Sequence, residues 1–105
     1  MNRIEALRAQ LGGSRDGALL RYSLGAALLE AGDVAEAIAH LRAALGFDAE
    51  YSVAWKLLGK ACLQSGDTPA AIDAWQRGVA VAEARGDVQA AKEMRVFLKR
   101  LGRGG

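Results

Sequence analysis

The feature that most constrains this chain is an internal repeat, in which the same residue pairs occur again 34 positions later. Three dipeptides show this offset, Leu24-Gly25 as Leu58-Gly59, Gly32-Asp33 as Gly66-Asp67, and Ala37-Ile38 as Ala71-Ile72. A fixed period of this length is the signature of proteins built from stacked supersecondary units, each too small to bury its apolar surfaces alone. The repeat therefore predicts a scaffold for contacts that carries no chemistry of its own.

The composition favours helices. The chain has 105 residues, which is enough for one domain, and hydrophobic residues make up 51% of it. Alanine is abundant, Val and Ile are sparse, and Pro69 is the only proline. This mixture favours helix over strand. No segment has the pattern of a strand or of a linker between domains, so we predict a single all-α domain of about six helices.

Glycines mark the ends of the first two predicted helices. A short first helix stops at Gly12, and we expect it to cover the end of the stack. Its apolar face consists of Ile4, Leu7 and Leu11. Ser14 is the candidate N-cap of a second helix over about residues 15–31, which ends at Gly32.

The third helix begins with a candidate capping box, because Asp33 precedes Glu36 by three residues. It stops near Gly46, and a fourth helix follows over about residues 50–65. The connections are only a few residues long, so neighbouring helices are expected to run antiparallel.

The fifth and sixth helices have the clearest start signals. Asp67 or Thr68 caps the fifth helix, and Pro69 falls in its first turn, where the missing N–H is harmless. No breaker follows before Gly86, and Asp87 caps the sixth helix. The apolar residues expected to point inward from the sixth helix are Ala91, Met94, Val96, Phe97, Leu98 and Leu101.

Two glycines of the repeat lie in the middle of predicted helices. Glycine at such a position costs about 1 kcal/mol relative to alanine, so Gly25 and Gly59 must have a packing role. Ala37 and Ala71 lie near the start of the partner helices. We expect each glycine to face the alanine of its own unit and to let the two backbones approach closely.

These residues resemble the tetratricopeptide repeat family. The second copy carries the better match, with Trp55, Leu58, Gly59, Ala71, Trp75 and Gly78. The first copy matches at Leu24, Gly25, Ala37, Leu41 and Ala44, while Arg21 stands in place of the tryptophan. The resemblance covers about residues 18–85 and implies a short, right-handed α-solenoid of antiparallel helical hairpins.

The chain departs from the family's pattern near its end. The usual proline after the second helix of each hairpin is absent, with Ala49 and Glu83 at those positions, so the fifth helix is expected to run long. A third step at the same offset places Lys92-Glu93 where Leu-Gly belongs, which predicts a capping helix and no third repeat. The single domain, residues 1–105, is therefore divided into a repeat over about 18–51, a second over about 52–85, a capping helix over about 87–101 and a flexible tail over 102–105.

In this family the first helix of each hairpin lines a concave groove that usually binds an extended peptide or a partner helix. The resemblance thus implies a protein–protein interaction module, a small adaptor whose partner the sequence does not name. It places eight residues in the groove, Leu19, Tyr22, Ala26, Leu29, Val53, Lys56, Lys60 and Leu63. The two lysines are one turn apart and could pair with a carboxylate, and Tyr22 could supply an amphipathic contact. The alternative is that the lysines are ordinary solvated charges beside acidic neighbours.

Two other functions stay open at this point. A short apolar groove or an uncovered end could stack on a second copy of the chain, giving a weak homo-oligomer. From Gly86 onward the chain has five basic and two acidic residues, against nine and ten before it. A basic last helix suits nucleic acid or an acidic partner, although cations near a helix C-terminus also complement its dipole. With little aromatic interleaving for base stacking, nucleic acid is the less favoured partner.

The family's best-known binding mode is not expected here. It clamps a C-terminal carboxylate with asparagines and basic residues from three consecutive hairpins. Ala26 and Leu57 stand where the asparagines would be, and the third hairpin is missing.

The sequence offers no candidate for catalysis, for a cofactor or for a metal ion. His40 is the only histidine and is expected to form an exposed pair with Glu36, one turn earlier. Cys62 is expected in the core, and as the only cysteine it can form no intramolecular disulfide. No segment approaches the roughly 20 apolar residues of a membrane span. We therefore expect a non-enzymatic protein of the cytoplasm with no membrane association.

Overall fold

The computed structural model describes residues 2–102 and consists of six α-helices. In chain order they are α1 (Arg3–Arg8), α2 (Ala18–Glu30), α3 (Val34–Phe47), α4 (Ser52–Gln64), α5 (Thr68–Arg85) and α6 (Val88–Arg100). No strand occurs among the described residues, which confirms the prediction of an all-α solenoid. The tail predicted over residues 102–105 falls mostly on residues 103–105, outside the described residues.

The helices form two layers. α2 packs along α3 and α4 packs along α5, which gives the two hairpins. α4 also contacts α2 on one side and α6 on the other, whereas the backbones of α3 and α5 do not approach each other. We call α2, α4 and α6 the inner layer and α3 and α5 the outer layer. The inner layer is the more closely packed of the two.

Two buried clusters hold the layers together. The larger cluster extends from Leu41 in α3 to Leu98 in α6 and joins both hairpins to α6. The smaller one consists of Leu24, Leu28 and Ala37 in the first hairpin. It is covered by three apolar side chains of the N-terminal segment, Ile4, Leu7 and Leu11. The N-terminal segment thus covers one end of the stack, as predicted.

The mid-helix glycines make room for large side chains of the partner helix. A Cβ placed on Gly25 would lie 2.8 Å from Leu41 Cγ and 3.3 Å from the Ala37 carbonyl oxygen. A Cβ placed on Gly59 would overlap the indole of Trp75. The expected close approach to the alanine of the same unit is found at Gly25, whose nearest neighbours include the Ala37 backbone, whereas the nearest neighbour of Gly59 is Trp75 and not Ala71. The glycine face of the first helix receives Leu41 in one hairpin and Trp75 in the other.

The second helix begins later than its sequence suggests. Ser14 does not cap it, because the helix starts at Ala18 and Gly17 occupies the N-cap position. The turn before it is organised by Asp16, whose carboxylate accepts a hydrogen bond from the Gly12 N–H and pairs with Arg21 at 2.8 Å. Both interactions hold the pKa of Asp16 well below its usual range, with the Arg21 hydrogen bond as the largest cause.

The capping box predicted for the third helix does not form. Asp33 occupies the N-cap position of α3, but its side chain accepts no capping hydrogen bond. The Glu36 carboxylate instead receives two guanidinium hydrogen bonds from Arg8 in α1. The Asp33 N–H, which a capping box would pair with Glu36, donates instead to the Leu28 carbonyl at 2.9 Å. The start signals of the last two helices are confirmed, since Asp67 accepts from the Ala70 N–H and Asp87 from the Ala90 N–H.

The last helix is displaced by two positions from the register of the repeat. The starts of α2 and α4, Ala18 and Ser52, are separated by the repeat's offset of 34, whereas the starts of α4 and α6, Ser52 and Val88, are separated by 36. The fifth helix, predicted to be long, has 18 residues against 14 in α3, and the connection after it is two residues shorter than the one after α3, which leaves a displacement of two. At the offset of 36, the buried positions of α4 and α6 coincide, Ala54 with Ala90, Leu58 with Met94 and Cys62 with Leu98.

This shift corrects two predictions. Met94-Arg95, and not Lys92-Glu93, occupies the Leu-Gly position of α6. Met94 is buried and its sulfur lies against Gly78, whereas Arg95 is exposed and forms an ion pair with Glu83. Val96, predicted to point inward, is 41% exposed.

Candidate functional site

The inner layer carries the eight residues predicted to line a groove. On α2, Leu19 is 69% exposed, and Ala26 and Leu29 are half-buried. Leu29 packs against both buried clusters, so it is as much a core residue as a surface one. The α2 stripe therefore has its most accessible apolar group at its N-terminal end.

Tyr22, the fourth residue of this stripe, is half-buried and packs against a second tyrosine. Its ring lies 5.4 Å from that of Tyr51, centroid to centroid, and the two planes are tilted by 52°. Tilted aromatic pairs at this separation are favourable beyond the area they bury. Burial raises the pKa of the Tyr51 hydroxyl above its usual value. Tyr22 and Tyr51 thus form an aromatic floor between α2 and the start of α4.

The α4 stripe is partly committed to α6. The Lys56 ammonium lies 3.3 Å from the Glu93 carboxylate, and the Lys60 ammonium lies 5.1 Å from the Phe97 ring centroid. Lys60 is exposed, and Leu63 is 39% exposed. Val53, the remaining residue, is half-buried at the start of the helix. Lys56 therefore has an acidic neighbour, as the alternative interpretation expects, but its side chain is only 24% exposed and is not an ordinary solvated charge.

The stripes on α2 and α4 have a counterpart on α6, which the sequence analysis did not predict. At the offset of 36, the α4 stripe corresponds to Gln89, Lys92, Val96 and Lys99. These four side chains are exposed. The sequence contained a signal for them, because the absence of the proline after the fifth helix already predicts a shift of the sixth. An offset of 34 from α4 selects other residues of α6 and so does not identify this stripe.

Two other candidate groups have defined places. The His40 imidazole lies 3.6 Å from the Glu36 carboxylate, as predicted, but its side chain is only 13% exposed, so the expectation of an exposed pair is wrong. The reason is that Arg8 and Glu36 join α1 to α3 beside it. Cys62 is buried, which confirms a core position, and burial raises the pKa of its thiol.

The described part of the chain contains no cluster of three metal-ligating side chains. Within residues 2–102, none of the helices combines the length and the apolar character that crossing a bilayer requires.

Stacked hairpins with a close-packed inner layer, an open outer layer and a helix at each end define a helical repeat protein. The sequence profile of the tetratricopeptide repeat matches residues 28–94. The chain belongs to this family. Proteins of the family generally mediate protein–protein interactions and are typically non-enzymatic scaffolds.

Individual proteins agree with this assignment. The chain is 48% identical over 100 residues to TPR repeat-containing protein PA0015 of Pseudomonas aeruginosa, and the match covers 95% of both chains. The solution structure of protein BPP2914 from Bordetella parapertussis is 48% identical, with a TM-score of 0.84, and covers 98% of this chain and 90% of that one. A crystal structure of MamA, at 23% identity, shares the fold with a TM-score of 0.78 and covers 95% of this chain and 57% of its own.

Proposed function

We propose that this chain is a protein-interaction module and that its inner layer binds a peptide segment or helix of a partner protein. The binding surface, which we call the groove, consists of the α2 and α4 stripes and their continuation on α6. The family's general role in protein–protein interaction supports the class of activity. The support for the groove comes from the distribution of exposed apolar side chains.

The single observation that carries the proposal is the position of the large apolar residues left in water. Five of them are markedly exposed in the described residues, Leu19, Phe47, Leu63, Val88 and Val96. Three of the five, Leu19, Leu63 and Val96, fall on groove positions of three successive inner helices. Leu63 and Val96 lie near the C-terminal ends of the α4 and α6 stripes, and Leu19 lies at the N-terminal end of the α2 stripe. Apolar groups gathered on one surface mark interaction sites, whereas isolated ones need no explanation.

The charges of the groove limit what it can accept. Lys60, Lys92 and Lys99 are exposed on the groove stripes, while Lys56 is partly neutralised by Glu93. The groove would bind a partner segment whose apolar side chains contact Leu19, Leu63 and Val96. It would repel a segment rich in arginine or lysine.

Affinity capture with a matched control tests this proposal. The triple variant Leu19→Ser, Leu63→Ser and Val96→Ser removes the exposed apolar groups of the groove. The control, Phe47→Ser with Val88→Ser, removes two apolar groups that lie outside the groove and are each more exposed than Leu63 or Val96. We expect proteins captured by the wild type and by the control to be lost with the triple variant and weakened by Lys60→Glu. Equal capture by all variants would overturn the groove assignment.

The same proteins distinguish partner binding from self-association. Sedimentation velocity over a hundredfold range of concentration measures whether the wild type forms oligomers. If it does, and the triple variant does not, the groove's occupant is a second copy of this chain. If all proteins sediment as monomers, the groove is left for a different protein.

A further inference from the structure

The outer layer contains a cleft that the groove does not use. It lies between α3 and α5, with the outward face of α4 as its floor, and has a volume of about 460 Å³. Its floor is formed by Trp55, Leu58 and Cys62. Its walls carry Arg42, Leu45 and Gly46 on one side and Ala70, Asp73, Ala74 and Arg77 on the other. We call this surface the outer cleft. Its volume is within the range of ligand sites, roughly 300–1,000 Å³.

The repeat provides an internal comparison for this cleft. The residues 34 positions before those of the outer cleft lie in or next to α1, α2 and α3. These helices surround the corresponding space in the first hairpin. There Arg42 corresponds to Arg8, Ala70 to Glu36, Ala74 to His40 and Cys62 to Leu28. Apolar side chains of the N-terminal segment pack against the first hairpin. The outer cleft has the smaller residue at three of the corresponding positions, Cys62, Ala70 and Ala74.

The comparison also identifies an arginine, Arg42, that lacks the carboxylate partner its equivalent has in the first hairpin. At the first hairpin, Arg8 forms two hydrogen bonds with Glu36, which in turn lies beside His40. At the outer cleft Ala70 replaces that glutamate, and Arg42 forms no ion pair with any carboxylate of residues 2–102. Asp73 lines the same cleft, but it is paired with Arg77 at 3.1 Å.

The Arg42 guanidinium is close to the floor of the outer cleft. It lines the same cleft as Cys62, and its positive charge opposes the effect of burial on the pKa of the Cys62 thiol. An incoming carboxylate that reaches Arg42 would therefore have its attached group placed over the apolar floor. The guanidinium is suited to this role because its planar fork matches a carboxylate.

We propose that the outer cleft binds a segment of a partner protein that presents a bulky apolar side chain next to a glutamate or aspartate. The apolar side chain fills the space over Leu58, Cys62 and Ala74. The neighbouring carboxylate pairs with Arg42, in the position that Glu36 takes opposite Arg8 in the first hairpin. This interaction is separate from the groove, because the cleft opens between outer-layer helices.

An NMR titration tests the proposal with the blocked dipeptide acetyl-Phe-Glu-amide as the probe and acetyl-Phe-Gln-amide as its neutral counterpart. We expect the glutamate peptide to shift the backbone amides of Leu45, Leu58 and Ala74 and to bind about tenfold more tightly than the glutamine peptide, the usual order for one charge-assisted hydrogen bond. Arg42→Gln should abolish this tenfold difference, and Arg8→Gln, the matched control at the first hairpin, should preserve it.

The variant Ala70→Glu provides a second arm. It restores the carboxylate that the first hairpin has, so Arg42 gains an internal partner and the glutamate peptide should lose its advantage. Its thermal unfolding midpoint, measured in parallel, establishes that the variant is folded.

Three results would overturn the proposal. The first is an absence of shifts at the cleft amides. The second is equal affinity for the two peptides in the wild-type protein. The third is a concentration-dependent shift of the same amides without any peptide, which would assign the cleft to a second copy of the chain.

Discussion

The first and second hairpins share their register but differ in how they fill it. In the first, the glycine of the inner helix receives Leu41, and the space on the outer side is closed by α1 through Arg8 and Glu36. In the second, the glycine receives the Trp75 indole and the outer side stays open as a cleft. In the second hairpin a large residue, Trp75, therefore packs on the glycine side of α4, while small residues, Cys62 and Ala74, line its other side.

The comparison indicates which positions a repeat must keep and which it can vary. Leu24 and Leu58 are buried in both hairpins, and so are the glycines that follow them. The position of Leu28 and Cys62 is buried in both, but its size differs, and only the larger side chain fills the space. Packing fixes the apolar character of this position, and the neighbouring unit determines how much volume it must supply.

The largest expected effect comes from making the second hairpin like the first at its aromatic position. Trp75 is 2% exposed, its ring lies 5.0 Å from that of Phe97, and its indole N–H donates to the Lys56 carbonyl at 3.0 Å. We expect Trp75→Leu to lower the free energy of unfolding by about 3 kcal/mol, measured by urea denaturation. Trp75→Phe keeps most of the volume and should lose less. A loss below about 1 kcal/mol for the leucine variant would mean that the two hairpins tolerate the same side chain.

The glycines should respond unequally to the same change. Alanine in a helix gains about 1 kcal/mol over glycine. A Cβ on Gly59 overlaps the rigid Trp75 indole, whereas one on Gly25 meets the smaller Leu41 side chain at 2.8 Å and the Ala37 carbonyl oxygen at 3.3 Å. We expect Gly59→Ala to destabilise by about 2 kcal/mol and Gly25→Ala by less than about 1 kcal/mol.

A double-mutant cycle sharpens this prediction. In the Trp75→Leu background the clash is relieved, so Gly59→Ala should cost less than it does alone. Additive effects would show that the indole is not what excludes alanine from position 59.

The helix caps of the outer layer should also differ. Asp67 accepts a hydrogen bond from the Ala70 N–H at 3.1 Å, whereas Asp33, its equivalent in the first hairpin, accepts none at the start of α3. We expect Asp67→Ala to cost about 1 kcal/mol and Asp33→Ala only a few tenths. Thermal unfolding of the two variants, compared with the wild type, measures the difference. Equal losses would contradict the unequal capping.

The smallest effect concerns the attachment of α1. Hydrogen bonding to Arg8 holds the pKa of Glu36 below its ordinary value of 4.5. A carboxyl whose pKa is lower in the folded state stabilises it above the unfolded value and loses this contribution as pH falls through the folded value. Amide exchange in α1 should therefore accelerate below about pH 4.5, before the remainder of the molecule unfolds.

The variant Arg8→Gln serves as the control for this pH dependence. Without the guanidinium, the largest cause of the lowered pKa of Glu36 is removed. Amide exchange in α1 should then be fast already at neutral pH. If wild type and variant show the same profile, the ion pair does not hold α1 in place.

Much of the fold could be predicted because its signals are local. The glycines at 32, 66 and 86 end helices with positive φ angles, and Asp67 and Asp87 begin the next ones. Such caps depend on residues within one turn. The absence of the proline at position 83 predicted the long α5, but the same absence at Ala49 did not lengthen α3, which ends at Phe47.

The misses involve partners that are distant in sequence. Glu36 has the spacing of a capping box, but its actual partner is Arg8, 28 residues away. Lys56 belongs to the groove by position, yet Glu93, 37 residues away, holds its ammonium. Spacing within a helix cannot reveal such competition, because it is decided by which helices come together.

The register of α6 was missed for a different reason. A constant offset does not carry past a helix that is longer than its counterpart, so it assigns Lys92 and Val96 to the wrong faces. Burial of Ala90, Met94 and Leu98 establishes the actual register. The groove residues of α6 follow from it and not from the repeat alone.

The additional turn of α5 also determines how long this array can become. Solenoids lengthen by tandem duplication, which works only when each new unit presents the same face as the one before it. A displacement of two residues rotates a helix by about 200°, so a unit copied in the original phase would turn its packing side away from α5. Arg95 stands where a further outer helix would require glycine. The end of α5 thus sets the phase of every helix after it, because α6 buries Ala90, Met94 and Leu98 two positions later than the repeat would place them.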